Sequence, residues 1–384
     1  MTRRRLRPPR EAARAAVHLV SGEAAAFIQR QANRALARGP YAAPLDFERD
    51  RTVLLFYEDF ERDRFFRHDR HFQRALRRVY HAVTHGQPAT GVEVAFRLLV
   101  TALERASCRV VVNDFTLARR NPDYPVGITG YPHILAGWPL PNPALLGPGL
   151  LDHPAMAPGL MEDPRFFAYL VPSEWTRAMY ERLYEGRCAL WFAGIDLDAW
   201  PDLRAHPKDI DFLVYDKVTV RAADYEDRLV KPLITALEAR GQRHRVIRYG
   251  AYEPGEYRAL LARSRAMAFL SESETQGIAY QQAMACNVPI LAWDNGFWLD
   301  PRRETWQRDP VPASSVPHFA DASGLTFREA SEIPAALDAF LAKRDRFEPR
   351  RFVEETLSLE ASAARYLALY RAAAASRRAI PSPA

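Results

Sequence analysis

The sequence predicts an α/β protein with two successive doubly wound domains, and three observations lead to this prediction. Short apolar segments of strand type alternate with helical segments along most of the chain, a pattern typical of parallel sheets covered by helices. The length of 384 residues exceeds the size at which a single hydrophobic core keeps growing. A polar stretch with two prolines, residues 199–208, separates the two alternating halves and is typical of an interdomain linker.

The first half of the chain alternates strands and helices up to residue 192. Continuous apolar runs predict the strands, and periodic apolar positions predict the helices. The predicted strands cover residues 53–57, 110–112, 167–171 and 190–192, and the predicted helices cover 71–83, 91–103 and 175–184. Residues 121–164 are rich in turn-forming residues, and no strand is predicted there.

The second half repeats the alternation. The predicted strands cover residues 212–215, 244–247, 267–270 and 289–293, and the predicted helices cover 225–240, 254–263 and 277–286. Two alanine-rich helices, 333–344 and 350–375, end the chain. Ligands of such sheets bind beyond the carboxyl ends of the strands, so functional residues are expected in the loops that follow them.

The basic character of the chain is concentrated in its first 38 residues. These hold nine arginines against two glutamates, a balance of +7, whereas the whole chain carries +6. Residues 11–38 also show helical periodicity, with apolar side chains on one face and arginines on another. Such an arm suits a polyanion, and we expect an anionic membrane surface rather than nucleic acid. Packing of this helix on the body of the protein is the alternative.

Cysteine usage and hydropathy indicate a cytoplasmic protein. If the basic arm at residues 1–38 binds lipid, the protein is expected to be peripheral to the membrane. The three cysteines are odd in number and widely spaced, so they form neither a disulfide framework nor a metal-ligand pattern. There is no run of 18 apolar residues that would span a membrane. Two Asp-x-Asp sequences, at 196–198 and 209–211, suggest metal ligands, but we interpret both as structural.

The most specific pattern lies in residues 271–292. Glu274 falls in a strand-to-helix turn and Gly277 falls at the helix start. A glycine there lets the backbone approach a ligand, and the free N–H groups of the first helical turn favour an anion. Gln282 lies eight residues after Glu274, and a carboxylate and an amide both suit the hydroxyl groups of a sugar or a ribose.

This segment resembles the donor-site motif of the retaining family 4 glycosyltransferases of GT-B architecture. That motif reads Glu-x-x-Gly, four residues, then Glu-Ala-Met-Ala-x-Gly-x-Pro-Val. The matching residues are Glu274, Gly277, Ala283, Met284, Ala285 and Pro289. Gln282 replaces the second glutamate, which removes a charge-assisted hydrogen bond. Asn287 replaces the glycine after the helix, a mild change because asparagine also adopts the left-handed conformation of a helix end.

Other passages extend the resemblance. Residues 171–175 and 194–196 resemble the family's entry into its second domain, and residues 366–370 resemble its closing helix. The resemblance implies two Rossmann-like domains that face a cleft. The expected divisions are an arm at 1–50, an acceptor-side domain at 51–195, a donor domain at 196–355, and a closing helix with a tail at 356–384.

The resemblance implies a hexosyltransferase-like enzyme that moves a sugar from a nucleotide diphosphate sugar to a glycan, lipid or protein acceptor. Transfer with retention, a place in polysaccharide, glycolipid or glycoprotein synthesis, and the need for no metal or other cofactor are implied in the same way. Two rivals stay open. One is a sugar phosphorylase or epimerase on the same scaffold, and the other is a non-catalytic GT-B partner subunit.

The resemblance also assigns roles to single residues. Glu274 is expected to hold the sugar ring, Gln282 the ribose, and Tyr249 the nucleobase. The donor phosphates are expected near Gly91, Thr275, Gln276 and Gly277.

The roles of two basic side chains and of one histidine each have an alternative. Lys217 and Arg221 are the available cations for the diphosphate where the family has Gly-Arg and Lys-Gly, or they are two solvated charges. His153 is expected to face the transferred sugar, or it is a surface residue of its loop. Tryptophans are candidates for stacking on sugars, although most belong to cores, and Trp298 is the one expected to be exposed.

Overall fold

A computed structural model of the protein describes residues 44–57, 91–135, 138–252 and 254–378. The helices predicted at 11–38 and 71–83 lie outside these residues. By its contacts the chain divides into two compact units. Of the described residues, the first unit takes those up to 152, 159–170 and 366–378, and the second takes 153–158 and 171–365. Apart from the short segment 153–158, the units change at 170/171 and 365/366. The domain bounds expected from the sequence, at 195/196 and 355/356, stay a prediction.

Six of the described strands form the first sheet, in the order β2-β1-β3-β4-β5-β6. They are β1 (Thr52–Tyr57), β2 (Arg109–Val112), β3 (Val126–Thr129), β4 (Ala144–Leu146), β5 (Phe166–Val171) and β6 (Cys188–Leu190). Strand β1 pairs in parallel with both β2 and β3 and is buried over nearly its whole length. A parallel strand covered on both faces requires such a continuous apolar run.

Strands β3 and β4 were not predicted, because they lie inside the segment at 121–164 that was expected to hold only turns. They contain four and three residues respectively. Apolar runs this short between turn residues carry no usable periodicity. Their burial in the sheet, rather than any local signal, identifies them.

The second sheet has the order β11-β10-β9-β7-β8. Its strands are β7 (Ile210–Asp216), β8 (His244–Arg248), β9 (Ser264–Leu270), β10 (Ile290–Trp293) and β11 (Gly324–Phe327), and every pairing is parallel. After β7 the chain adds β8 on one side of β7, and it then adds β9, β10 and β11 in order on the other side. The gap between the ends of β7 and β9 is therefore the topological switch point, where sheets of this kind bind ligands.

Two hydrophobic cores cover the two faces of the second sheet. Leu213 and Tyr215 of β7 enter one core, and Phe212 and Val214 of the same strand enter the other. This alternation shows that helices pack on both faces. The prediction of an α/β protein with two parallel, doubly wound sheets is confirmed.

The helices of the described residues lie mostly where the apolar periodicity predicts them. In the first unit they are α1 (Phe47–Asp50), α2 (Gly91–Arg105) and α3 (Phe115–Arg120). Those that follow are α4 (Glu174–Glu181), α5 (Ala222–Tyr225), α6 (Lys231–Ala239), α7 (Pro254–Arg263), α8 (Ile278–Ala285), α9 (Ile333–Lys343), α10 (Pro349–Thr356) and α11 (Leu359–Arg378). A π-helical turn, Glu226–Val230, joins α5 to α6.

The single helix predicted at 350–375 is wrong, because helices α10 and α11 are separated at residues 357–358. The Ile195 N–H donates to the carbonyl of Leu357 at 2.8 Å, and Ile195 pairs with Ser358 in a β-bridge. These contacts take the backbone out of the helical conformation. The preceding Gly194 allows the approach, since a Cβ there would lie 2.6 Å from the Ser358 carbonyl oxygen.

Candidate active site

Two charged side chains meet at the switch point of the second sheet. Lys217 directly follows β7, and Glu274 lies in the loop after β9. The Nζ of Lys217 lies 2.6 Å from Oε1 and 2.9 Å from Oε2 of Glu274. The Lys217 N–H also donates to the Leu270 carbonyl at 2.8 Å, which ties the two strand ends together. The fold thus places both residues where a ligand of this sheet would bind.

Glu274 is held on several sides. Its side chain is 9% exposed, and the Ser271 hydroxyl donates to Oε1 at 2.9 Å. Its own N–H donates to the Ser314 carbonyl at 2.9 Å, and the Trp175 indole N–H donates to the Glu274 carbonyl at 2.8 Å. The carboxylate is therefore fixed in orientation by the protein itself.

Lys217 is partly open to solvent, with 25% of its side chain exposed. The ammonium lies 4.9 Å from the centre of the Tyr249 ring, and that tyrosine is 42% exposed. Burial by itself lowers the pKa of Lys217, but the facing carboxylate of Glu274 outweighs it and raises the pKa overall. Lys217 is consequently a cation at neutral pH, placed between a carboxylate and an accessible aromatic ring.

Glu272 is a buried member of the same loop that the sequence analysis did not identify. Its Oε1 accepts hydrogen bonds from the N–H groups of Thr219 at 2.7 Å and Val220 at 2.5 Å. Burial raises the pKa of Glu272, against the opposing effect of these donors. The side chain fixes the loop that follows β7. No local signal reveals this role, because the two partners lie in a distant segment of the chain.

Gly277 adopts a conformation that favours glycine. Its φ is +86°, and a Cβ there would lie 2.0 Å from Cε1 of Tyr280. It is the residue before α8, so the free N–H groups of that helix begin beside it. At the far end of α8, Asn287 has a φ of +63°, which confirms the expected left-handed helix end. Thr275, two residues before Gly277, is exposed.

The two predicted glutamine contacts lie in different surroundings. The Gln276 side chain is buried, donating to the Ala193 carbonyl at 2.6 Å and accepting from the Ala193 N–H at 2.8 Å. This pair of hydrogen bonds secures the segment around Ala193, and the donor contact expected of Gln276 stays a prediction. Gln282 is half-buried on α8, and its side chain forms no hydrogen bond with any described residue.

The two candidate cations also differ. Arg221 has 66% of its side chain exposed and forms an ion pair with Asp224, 2.7 Å away, in the adjoining helix α5. Of the two, Lys217 alone has a contact with Glu274 in the described structure, and Arg221 fits the alternative of a solvated charge. Gly91 begins α2 in the first unit, and no atom of the described residues lies within 4 Å of a Cβ placed on it. Its phosphate contact stays a prediction.

His153 is buried, so the alternative of a surface histidine is wrong. Its ring lies near-parallel to those of Trp306, at 5.6 Å and 8°, and Trp298, at 6.3 Å and 12°. Burial lowers the pKa of His153, with Gln307 opposing the effect and Arg182 adding to it. The imidazole is therefore neutral at pH 7. Trp298 is half-buried, whereas Trp138, Trp191 and Trp293 are buried, which agrees with the expectation that Trp298 is the accessible one.

The Asp-x-Asp sequences have structural contacts. Asp209 pairs with Arg263, and Asp211 lies within 3.3 Å of side-chain nitrogens of both Arg243 and Arg265. Asp196 accepts from the Asp198 N–H at 3.1 Å in a turn. Among the described residues, no three acidic, histidine or cysteine side chains are grouped as metal ligands would be.

Residues 197–300 match the sequence model of the family described as glycosyl transferases group 1. This segment includes β7, β9 and α8, and hence Lys217, Glu274 and Gly277. The resemblance inferred from the donor-site motif is confirmed for this part of the chain. No curated protein sequence matches the chain.

Several solved structures are similar to this chain at low identity. Sucrose-phosphate synthase from Thermosynechococcus elongatus is 15% identical with a TM-score of 0.48, over 85% of this chain and 99% of that one. The catalytic domain of starch synthase IV from Arabidopsis thaliana, bound to ADP and acarbose, is 12% identical with a TM-score of 0.46, over 76% and 79%. TarM is 11% identical with a TM-score of 0.47, over 67% of this chain and 56% of that one, so the match spans little more than half of TarM.

Proposed function

We propose that this protein is a glycosyltransferase that moves a sugar from a nucleoside diphosphate sugar to a glycan or lipid-linked acceptor. The observation that carries the proposal is the pairing of Lys217 with Glu274 at the switch point of the second sheet. Both residues lie within the segment that matches the glycosyl transferases group 1 model. A cation and a carboxylate side by side suit a ligand that joins a diphosphate to a polyhydroxylated ring.

Lys217 is assigned to the diphosphate. An ammonium group has three donors, so Nζ can keep one bond to Glu274 and give another to a phosphate oxygen. When the bond between the sugar and the diphosphate breaks, negative charge grows on the leaving group. A fixed cation nearby stabilises that charge in the transition state.

Glu274 is assigned to the sugar ring. Its carboxylate accepts hydrogen bonds only, and its orientation is fixed by Ser271 and Lys217. A sugar hydroxyl that donates to it would be held in one position relative to Lys217. Fixed positioning of this kind is a major source of rate acceleration. We propose retention of configuration because the donor-site motif resembles that of retaining enzymes.

The remaining donor contacts follow from exposure and available hydrogen-bonding groups. The N-terminus of α8 beside Gly277 offers free N–H groups to a phosphate, and Thr275 adds an exposed hydroxyl. Gln282 offers an unengaged amide for the ribose, and the exposed ring of Tyr249 offers a surface for the base. We assign no donor contact to the Gln276 side chain, which is buried and bonded to Ala193, or to Arg221, which has no contact with Glu274 in the described structure.

Calorimetric titration of the full chain with UDP, GDP and ADP tests the proposal, followed by assays with the matching nucleotide sugars. At least one diphosphate should bind, and Lys217→Ala should weaken it. Arg221→Ala is the matched control, because it removes a cation from the same loop without touching Glu274. Failure of all three diphosphates to bind would exclude an enzyme that uses UDP-, GDP- or ADP-sugars. Release of a free sugar phosphate would favour a phosphorylase, and formation of an epimerised donor would favour an epimerase.

A non-catalytic partner subunit is the second candidate. The uncharged Gln282 occupies the position where the family motif has its second glutamate. The positive charge of Lys217 is already balanced by the carboxylate of Glu274. Both features lower the expected affinity for a diphosphate. Diphosphate binding without donor hydrolysis or transfer, under any acceptor condition, would support this candidate.

We also propose that residues 1–38 bind an anionic membrane surface. These residues lie outside the described structure, and the proposal rests on their charge of +7. None of the helices in the described part of the chain has the length and apolar character that a membrane crossing needs. Deleting residues 1–38 should abolish sedimentation with phosphatidylserine vesicles while sparing the melting temperature. A lowered melting temperature with unchanged sedimentation would instead identify a packed helix.

A further inference from the structure

Three aromatic rings form a platform in the second unit, which we call the aromatic platform: His153, Trp298 and Trp306. Their planes lie within 14° of one another, and their centroids are separated by 5.6, 6.3 and 6.3 Å. Three rings in one column, spaced by about 3.5 Å, would put the outer pair about 7 Å apart and the neighbours much closer. Because the three centroid separations are nearly equal, the centroids form a triangle. The rings are therefore side by side or offset from one another, and they do not form a single stack.

The platform is built on a long excursion of the chain between β10 and β11. The Trp298 N–H donates to the Val311 carbonyl at 2.9 Å, and the Ala313 N–H donates to the Gly296 carbonyl at 3.0 Å. Asp294 closes the base of the excursion by accepting from the Ser314 hydroxyl at 2.8 Å. A connection of about 30 residues is unusual for a compact domain and is commonly functional.

The base of this excursion is joined to Glu274. The Glu274 N–H donates to the carbonyl of Ser314. Trp175, whose indole N–H donates to the Glu274 carbonyl, also packs against Trp298 with centroids 6.3 Å apart. The platform is therefore attached to the residue assigned to the donor sugar through two independent contacts.

The polar atoms of the platform favour a carbohydrate ligand. His153 is buried, so the rings that a ligand can meet are the half-buried indoles of Trp298 and Trp306. The indole N–H groups of Trp298 and Trp306 bond to no described residue, and both side chains are only half-buried. A lipid tail would leave such groups without partners, at a cost in free energy. A sugar ring presents apolar C–H faces for the rings and hydroxyl groups for the N–H donors.

We infer that the aromatic platform binds a sugar ring of a carbohydrate acceptor and places it beside Glu274. This inference rests on the proposed function and narrows it, because it selects a glycan among the possible acceptors. The indole faces supply affinity, the two indole N–H groups supply orientation, and the buried His153 supports the two indoles from within. Trp175 acts as a positioning residue, because it holds the Glu274 backbone and contacts Trp298 at the same time.

The test measures binding of soluble glycans to the full chain by calorimetry and tryptophan fluorescence. The probes are maltohexaose, cellohexaose and chitohexaose. At least one should bind saturably and change the fluorescence. Trp306→Ala and Trp298→Ala should weaken its binding on the order of tenfold, as expected for one lost stacking contact. Phe297→Ala is the matched control, because Phe297 is 48% exposed on the same excursion, and binding by this variant should be unchanged.

Binding of the nucleoside diphosphate separates this inference from the proposed function. Two outcomes overturn the inference and leave the proposed function standing. In the first, the chain binds a diphosphate but none of the glycans. In the second, the tryptophan variants bind glycan as tightly as the unchanged chain does. Transfer to a lipid phosphate in the presence of unused glycan would also overturn it. If an alanine variant fails to fold, Trp306→Phe provides the comparison. It keeps a ring but removes the N–H, and it should weaken glycan binding less than tenfold without changing diphosphate affinity.

Discussion

The ammonium of Lys217 and the carboxylate of Glu274 form an ion pair across the ends of strands β7 and β9, with Nζ 2.6 Å from Oε1. The two residues are assigned to different parts of the same donor. A nucleotide sugar bound as proposed would share Lys217 with Glu274 rather than meet a free cation. Removing Lys217 should accordingly weaken diphosphate binding, whereas removing the charge of Glu274 should not weaken it.

Lys217→Ala should weaken nucleoside diphosphate binding by about 1.5–3 kcal/mol, the usual cost of a lost hydrogen bond to a charged group. Glu274→Gln should bind the diphosphate at least as tightly, because Lys217 is released from its partner, yet should lose transfer. Titration calorimetry and a donor-turnover assay measure the two effects. An equal loss of diphosphate affinity in both variants would contradict the assigned roles.

Gly277→Ala should lower the free energy of unfolding by more than about 3 kcal/mol. The new methyl group adds a clash with Tyr280 to the cost of about 1–3 kcal/mol for a left-handed non-glycine residue. Gly186→Ala is the control, because Gly186 has a φ of +67° and no atom of the described part of the chain lies within 4 Å of its Cβ position. Urea denaturation should show the smaller loss in the control, and similar losses would exclude the clash.

Acidification should destabilise the protein through His318. Burial lowers the pKa of this histidine below its usual 6.5, opposed by the bond between Nε2 and the Pro172 carbonyl at 2.7 Å. The unfolded chain then binds the proton more readily, so stability is complete above about pH 6.5 and falls as the pH drops below it. The melting temperature should decline between pH 7 and 5, and His318→Gln should reduce that slope. Identical slopes would rule out His318 as the cause.

Transfer activity should survive chelation. Lys217 supplies the positive charge at the diphosphate, and the two carboxylates of residues 209 and 211 are paired with arginines. We expect turnover with EDTA to match turnover without it. Loss of activity that manganese restores would show that a metal ion takes part.

The candidate donor loop is predictable from the sequence because its signals are local. Glu274, Gly277 and Asn287 belong to one short segment whose strand, turn and helix follow from spacing and glycine conformation. The choice between Lys217 and Arg221 was not readable, because it depends on the parallel pairing of β7 with β9. The burial of His153 likewise depends on tryptophans that lie far along the chain. Strands β3 and β4 escaped prediction because they are stabilised by their neighbours rather than by their own composition.

Glu272 gives the loop after β7 a property that bears on every anionic ligand. Its carboxylate already satisfies the N–H groups of Thr219 and Val220, so the protein carries its own anion at that position. The loop needs no ligand to order it, and nucleotide binding should leave amide hydrogen exchange at residues 219 and 220 nearly unchanged. In the proposed site, a diphosphate would then draw its donors from Lys217, the Thr275 hydroxyl and the first turn of α8. The proposed donor site would then combine a rigid loop, whose N–H groups are already bonded, with a single ammonium held in place by Glu274.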